Sequence, residues 1–183
     1  MLNNSRQNSK QKSNPIFEEK NPIFEASSIV IEDTLSEKYD IPRNDNLYNL
    51  KSLLQEFNSI KISGPRRSGH TTAIPQIIGK FFKNNVVILS MHQRSCQSIQ
   101  NILKSYYIGY VKESNHSSTT LKNNSKIFTF SMHSLNNISR LENLDAIIID
   151  TACMMSPKLR EELIKTSLPY ISINKKFLLI FIE

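Results

Sequence analysis

Three short runs of mostly consecutive apolar residues limit the folds open to this chain: Val86–Met91 (VVILSM), Asp145–Asp150 (DAIIID) and Asn174–Glu183 (NKKFLLIFIE). None alternates apolar with polar residues, so a strand built from any of them must be covered on both faces. The stretches between them supply the cover. Leu47, Leu50, Leu53, Leu54 and Phe57 share one helical face of Leu47–Phe57, with Asp45 or Asn46 placed to cap it. Thr71–Lys83, Gln93–Lys104 and Pro157–Thr166 also read as helices, the last with proline in its first turn. Ser59–Ser63 and Lys126–Phe130 read as further strands, and Tyr106–Lys112 as an edge strand. The polar stretch Glu113–Ser125 reads as a loop. Strands alternating with helices predict an α/β domain, a mostly parallel sheet flanked by helices. Pro75 falls inside the second helix and predicts a kink or a short first turn.

In such a sheet ligands bind outside the carboxyl ends of the strands. Two features fall there. The first is Gly64-Pro65-Arg66-Arg67-Ser68-Gly69-His70-Thr71-Thr72, between a predicted strand and a predicted helix. It meets the phosphate-loop pattern G-x-x-x-x-G-K-[ST] except that His70 stands at the lysine. Glycines at both ends let backbone N–H groups turn toward phosphate oxygens, and the helix that follows adds its positive end. The hydroxyl of Thr71 is placed for Mg²⁺, with Thr72 behind it. A lysine would bring a permanent charge to the β and γ phosphates, whereas an imidazole titrates near neutrality. Arg66 and Arg67, inside the loop, are the candidates to replace that charge.

The second feature is Asp150, delivered by Ala146–Ile149 to the end of a buried strand, as a carboxylate beside Mg²⁺ requires. The next residue, Thr151, is no general base at neutral pH. His92, His116 and His133 have no metal-ligand spacing, and neither do Cys96 and Cys153, the two cysteines. The cysteine usage fits a reducing, intracellular setting.

Charge is uneven. Residues 1–45 hold 6 basic and 8 acidic side chains, and residues 46–183 hold 17 and 8. A part this basic suits an anionic partner, a nucleotide or a nucleic acid. Residues 1–45 read as a disordered tail and 46–183 as the folded domain. Within the tail Asn-Pro-Ile-Phe-Glu occurs twice, at Asn14–Glu18 and Asn21–Glu25. Proline biases each copy toward an extended backbone, which would make the repeats short docking motifs for a protein partner. Ser28–Ile31 reads as a short strand. No apolar run is long enough to span a membrane and no secretory leader opens the chain.

Taken together, GPRRSGHTT, VVILS and the helix after it, TFSMHSL, LDAIIIDTA and FLLIFIE resemble the core of P-loop ATPases. The similarity is greatest to helicases and to the ATPase domain of viral terminase large subunits, and covers roughly residues 47–183. It implies a RecA-like sheet, ATP and Mg²⁺ as ligands, and Arg66 or Arg67 as a charge donor in cis to the catalytic site. It implies that Ser90–Arg94 touches a nucleic-acid backbone through Gln93 and Arg94, and that Thr129–Leu135 is the segment preceding the magnesium strand. It implies a cytoplasmic location, the host cytoplasm for a viral chain. Against that pattern, His70 and Thr151 replace the lysine and the glutamate that serve hydrolysis. Two functional readings follow. One is a nucleotide-binding protein, a weak ATPase or none, acting on DNA or RNA. The other is a non-catalytic module for nucleic acid or protein on a degenerate P-loop scaffold.

Overall fold

The structure, a computed structural model, describes residues 21–36, 51, 54–55, 58–65 and 68–183. Its centre is a seven-stranded sheet: β1 (Ser59–Ile62), β2 (Asn85–Ser90), β3 (Val111–Ser114), β4 (Ser118–Leu121), β5 (Lys126–Ser131), β6 (Leu144–Asp150) and β7 (Leu178–Ile182), in the spatial order β1-β7-β6-β2-β5-β4-β3. The first five in that order are mutually parallel, so their carboxyl ends share one edge. β4 and β3 close the far side as an antiparallel pair.

The helices are α1 (Pro22–Ser36), α2 (His70–Phe81), α3 (Gln93–Tyr106) and α4 (Pro157–Ile173). A 3-10 segment at Met132–Arg140 joins β5 to β6, and Lys51, Leu54 and Gln55 are helical. Each buried strand feeds both faces of the sheet, as a period of two requires. Val86, Ile88, Ala146, Ile148 and Ile180 meet α1, α2 and α3 through Ile31, Ile74, Ile77, Ile99 and Leu103. Val87, Leu89, Ile147, Ile149 and Leu179 meet Leu54, the 3-10 segment and α4 through Ile138, Leu163 and Ile171.

The expected α/β sheet is present, and its departures from expectation have local causes. Glu113–Ser125 is not a loop. It ends β3 and contains β4, because β4 gains hydrogen-bond partners from β5. Asn115 makes the turn, its Oδ1 accepting from the amides of Ser117 at 2.9 Å and Ser118 at 2.8 Å. The polar residues of that hairpin are satisfied from α3. The buried Gln100 amide donates to Thr129 Oγ1 at 2.7 Å, and Thr119 Oγ1 donates to Gln100 Oε1 at 2.7 Å. Tyr106 belongs to α3, and the edge strand begins only at Val111. α2 runs unbroken through Pro75 from His70 to Phe81, and α4 runs through Pro169 to Ile173.

The largest correction concerns the segment before β1. Neither an extended Asn21–Glu25 nor a strand at Ser28–Ile31 is found; Pro22–Ser36 is helix α1, packed on α2. Ile23, Ser27 and Ile31 recur at four-residue spacing and are buried. Burying the two isoleucines contributes about 1.5–3 kcal/mol each. The ion pair Lys80–Glu32 at 2.7 Å is exposed and adds less than about 1 kcal/mol. The first copy of the repeat, Asn14–Glu18, the boundary drawn at residue 45, and most of Leu47–Phe57 lie outside the described residues.

Candidate functional site

The carboxyl edge of the sheet brings the two sequence features together. β1 leads into Gly64, whose amide donates to the Glu183 carbonyl at 3.2 Å, so the loop's first glycine is anchored to the residue after β7. The amide of Ser68 donates to the Pro65 carbonyl at 3.2 Å. Gly69 takes the left-handed conformation, φ 89° and ψ 25°, which an L side chain adopts only with strain. It starts α2 with no side-chain cap. The first-turn amides of His70, Thr71 and Thr72 therefore begin the helix without a cap, beside its positive end. Arg66 and Arg67 lie outside the described residues.

His70 folds back over the loop. Its Nε2 lies 3.2 Å from Ser68 Oγ, and a Cβ on Gly64 would sit 2.7 Å from the same nitrogen. The Thr71 hydroxyl donates to Asp150 Oδ1 at 3.4 Å, a long contact between residues 79 apart in sequence. Thr72 Oγ1 donates to the Gly69 carbonyl at 2.9 Å.

Asp150 ends β6 and is 6% exposed. Burial pushes its carboxyl above the ordinary carboxylate value, against the opposing pull of the Thr71 hydroxyl, the His70 charge and the Thr151 hydroxyl. Among the described residues no lysine or arginine bridges it. A buried carboxylate and a hydroxyl, both hard oxygen donors, fit Mg²⁺, which takes one or two protein oxygens and leaves the rest of its shell to phosphate and water. Among the described residues no group of three or more His, Cys, Asp or Glu side chains forms a metal cluster.

Thr151 turns the chain immediately after Asp150 with φ 62° and ψ 45°. A β-branched residue in this region is a backbone outlier, and such outliers gather at functional sites. Gln93 and Arg94 open α3 on the same edge, at the end of β2, and both are exposed. His92 and His133 are exposed on that edge as well, and His116 lies in the β3–β4 turn, beside the carboxyl end of β5 on the far side of the sheet. Cys96 is buried in the first turns of α3, where desolvation pushes its thiol up.

Two residues at this site lie outside the sequence expectation. Glu183 follows β7, between the loop strand and the Asp150 strand, and its carboxylate is held by Lys61 at 2.6 Å. Asn21 comes from the segment read as a tail. Its Nδ2 donates to the Gly69 carbonyl and to Thr72 Oγ1, both at 3.1 Å. The signal for Asn21 was in the sequence: Asn-Pro is a favoured cap-and-first-residue pair for a helix. A cavity of about 900 Å³ opens at the opposite, amino edge, lined by Phe81, Phe82, Leu141, Asp145 and Ile173 among others. There Asp145 accepts from the amides of Lys83 and Asn84. None of the loop or Asp150 chemistry is at that cavity.

Neither a family model nor a curated protein sequence matches the chain. Solved structures do. The ATPase domain of the Thermus phage P74-26 large terminase matches 81% of this chain and 66% of its own length, at 16% identity and a TM-score of 0.47. The large terminase of another thermophilic bacteriophage matches over 77% of this chain and 38% of its own, at 13% identity and a TM-score of 0.48. A second structure of that terminase, in complex with ADP, matches over 74% of this chain and 37% of its own, at 16% identity and a TM-score of 0.46. The chain thus spans about two thirds or less of the length of these neighbours. These neighbours are of the class that the motifs resemble.

Proposed function

We propose that the carboxyl edge of the sheet is a nucleotide site that takes ATP with Mg²⁺ and turns it over slowly or not at all. The observation that carries this reading is the meeting of Thr71, in the first turn of α2, with Asp150, at the end of β6, beside the uncapped start of α2. The first-turn amides and Gly69 suit phosphate. Thr71 and Asp150 would hold Mg²⁺, which when bound neutralises phosphate charge. His70, Arg66 and Arg67 are the basic groups of the loop, Arg66 or Arg67 being the candidate charge donor, and Pro65 and Ser68 complete its turn. Slow turnover follows from Thr151, which offers no base to an attacking water where a carboxylate would. Two unpaired cysteines suit a reducing, cytoplasmic compartment. Among the described residues no helix is long and apolar enough to cross a membrane.

Isothermal titration with ATP and Mg²⁺ tests the proposal. Saturable binding is expected, weakened in Thr71→Ala and Asp150→Asn, and no heat at millimolar nucleotide overturns it.

A second reading, a non-catalytic module for nucleic acid, has one observation of its own. Residues 93–131, which span α3 to β5, hold five basic side chains and only Glu113 of opposite sign. Gln93 and Arg94 would then contact the DNA or RNA backbone. Binding of single-stranded DNA that falls steeply with salt and ignores ATP favours that reading over the first.

A further inference from the structure

The second Asn-Pro-Ile-Phe-Glu copy closes on both glycines of the loop. Asn21 Nδ2 donates to the carbonyl of Gly69 and to Thr72 Oγ1. A Cβ on Gly69 would stand 3.0 Å from that nitrogen. At the other end of the loop a Cβ on Gly64 would stand 2.8 Å from Ile23 Cδ1, and Ile23 is buried. One turn of α1 therefore fills the space that each glycine leaves open.

Asn21 does this with one half of its amide while the other half builds α1. Its Oδ1 accepts from the amides of Ile23 at 3.0 Å and Phe24 at 3.2 Å, which caps the helix. Proline at Pro22 costs nothing there, because the first helical N–H has no partner within the helix. The same side chain thus joins the starts of two helices: its oxygen caps α1, and its nitrogen ties down the residue that starts α2. Thr72 completes the tie by donating its own hydroxyl to the Gly69 carbonyl at 2.9 Å. Phe24 and Lys80, 5.7 Å apart, and the Lys80–Glu32 pair extend the contact along α2.

The geometry points to Asn21 as a positioning residue for the phosphate loop. With the Ala73 amide and the Thr72 hydroxyl, its amide nitrogen holds the Gly69 carbonyl, and with it the His70 amide of the same peptide unit, in the conformation that receives phosphate. The Asn-Pro-Ile-Phe-Glu copy at Asn21–Glu25 is thereby an intramolecular strap on the site. The nucleotide consequence rests on the reading given above; the effect on the loop does not.

Two substitutions separate the cap from the tie. Asn21→Ser keeps a capping oxygen, adds no charge and cannot reach Gly69. Asn21→Asp keeps the cap at full length and removes the donor. Both are made in the full chain, with Asn14→Ala in the first copy as a control. Amide hydrogen exchange without nucleotide is read at Ile23–Glu25 and at Gly69–Ala73. In both Asn21 variants α1 is expected to stay protected while the loop amides exchange about tenfold faster, the loss of one to two hydrogen bonds. Asn14→Ala is expected to match the wild type. The dissociation constant of Mg²⁺-ATP is expected to rise about fivefold or more in Asn21→Ser. Unchanged loop exchange in both Asn21 variants overturns the proposal, as does loosening of α1 and loop together in both, or an Asn14→Ala variant that behaves like Asn21→Ser. If wild-type protein binds no nucleotide, the nucleotide reading fails, and the exchange data still decide the role of Asn21.

Discussion

Asp150→Asn should make the free protein more stable and its Mg²⁺-nucleotide complex weaker. Asp150 is 6% exposed, is bridged by no lysine or arginine among the described residues, and has only the long Thr71 hydrogen bond at 3.4 Å, the Thr151 hydroxyl and the nearby His70 to offset its burial. Burial outweighs these contacts, so the ionised form is under-compensated. The amide has the same shape, keeps an oxygen for the Thr71 hydroxyl and carries no charge. Removing the desolvation cost while leaving one new NH2 group, with two N–H donors at the partly open sheet edge, to satisfy gives a net gain of about 1–2 kcal/mol at neutral pH. In a chain of this size that raises Tm by roughly 2–8 °C.

The pH dependence fixes the sign. Burial raises the folded-state pKa of Asp150, so the folded protein holds this proton more tightly than the unfolded chain does. Stability is then lost as pH rises from the unfolded carboxylate value, about 3.9, through the raised folded value, and the loss is complete above it. The asparagine variant has no such loss. Its advantage grows as pH rises through the raised folded value and vanishes below the unfolded value, about pH 4. Urea unfolding of both proteins from about pH 4 to pH 8, with and without saturating Mg²⁺ and ATP, measures this directly. The ligand should stabilise the wild type and leave Asp150→Asn nearly unchanged. A variant less stable than wild type near neutral pH, or one whose advantage grows toward acid pH, refutes the reasoning.

Other expectations can be checked with the same protein. Gly69→Ala puts a Cβ at φ 89° and 3.0 Å from Asn21 Nδ2, so it should cost about 1–2 kcal/mol in chemical denaturation and weaken nucleotide binding. His70→Lys replaces the ring that lies over Gly64 and beside Ser68 with a flexible, permanently charged ammonium. It should tighten ATP binding at neutral pH, measured by titration calorimetry, and an unchanged or weaker affinity would show that this position does not serve the phosphates. Gln100→Leu leaves the buried Thr119 and Thr129 hydroxyls without their shared partner. It should cost about 2–4 kcal/mol and speed amide exchange in β4 before the rest of the sheet.

How much of this was legible in the sequence depended on how local each cause is. The buried strands were, since Val86–Leu89 and Ala146–Ile149 are apolar on every side and only a sheet covered on both faces accepts them. Gly64, Gly69, Thr71 and Asp150 were too, because the loop is read from spacing and the carboxylate from its place at the end of such a strand. The β3–β4 hairpin was not legible. Ser118–Leu121 is polar by composition and becomes a strand only through pairing with β5 and the Gln100 amide above it. Nor was the role of Asn21–Glu25, where the helix-start signal lay inside a stretch whose composition resembles a disordered tail.

The sequence alone determined that this chain needs a sheet covered on both faces, with a glycine loop and an aspartate at one edge, because those demands come from side-chain polarity and backbone freedom at single positions. Only the tertiary structure decided that the Thr71 hydroxyl meets Asp150 across 79 residues of chain, that His70 lies over Gly64, and that the amide of Asn21 ties the loop from a helix 48 residues away. Those are contacts between distant segments. Their free energy exists only once the strands have paired and the helices have packed, so no local pattern records them.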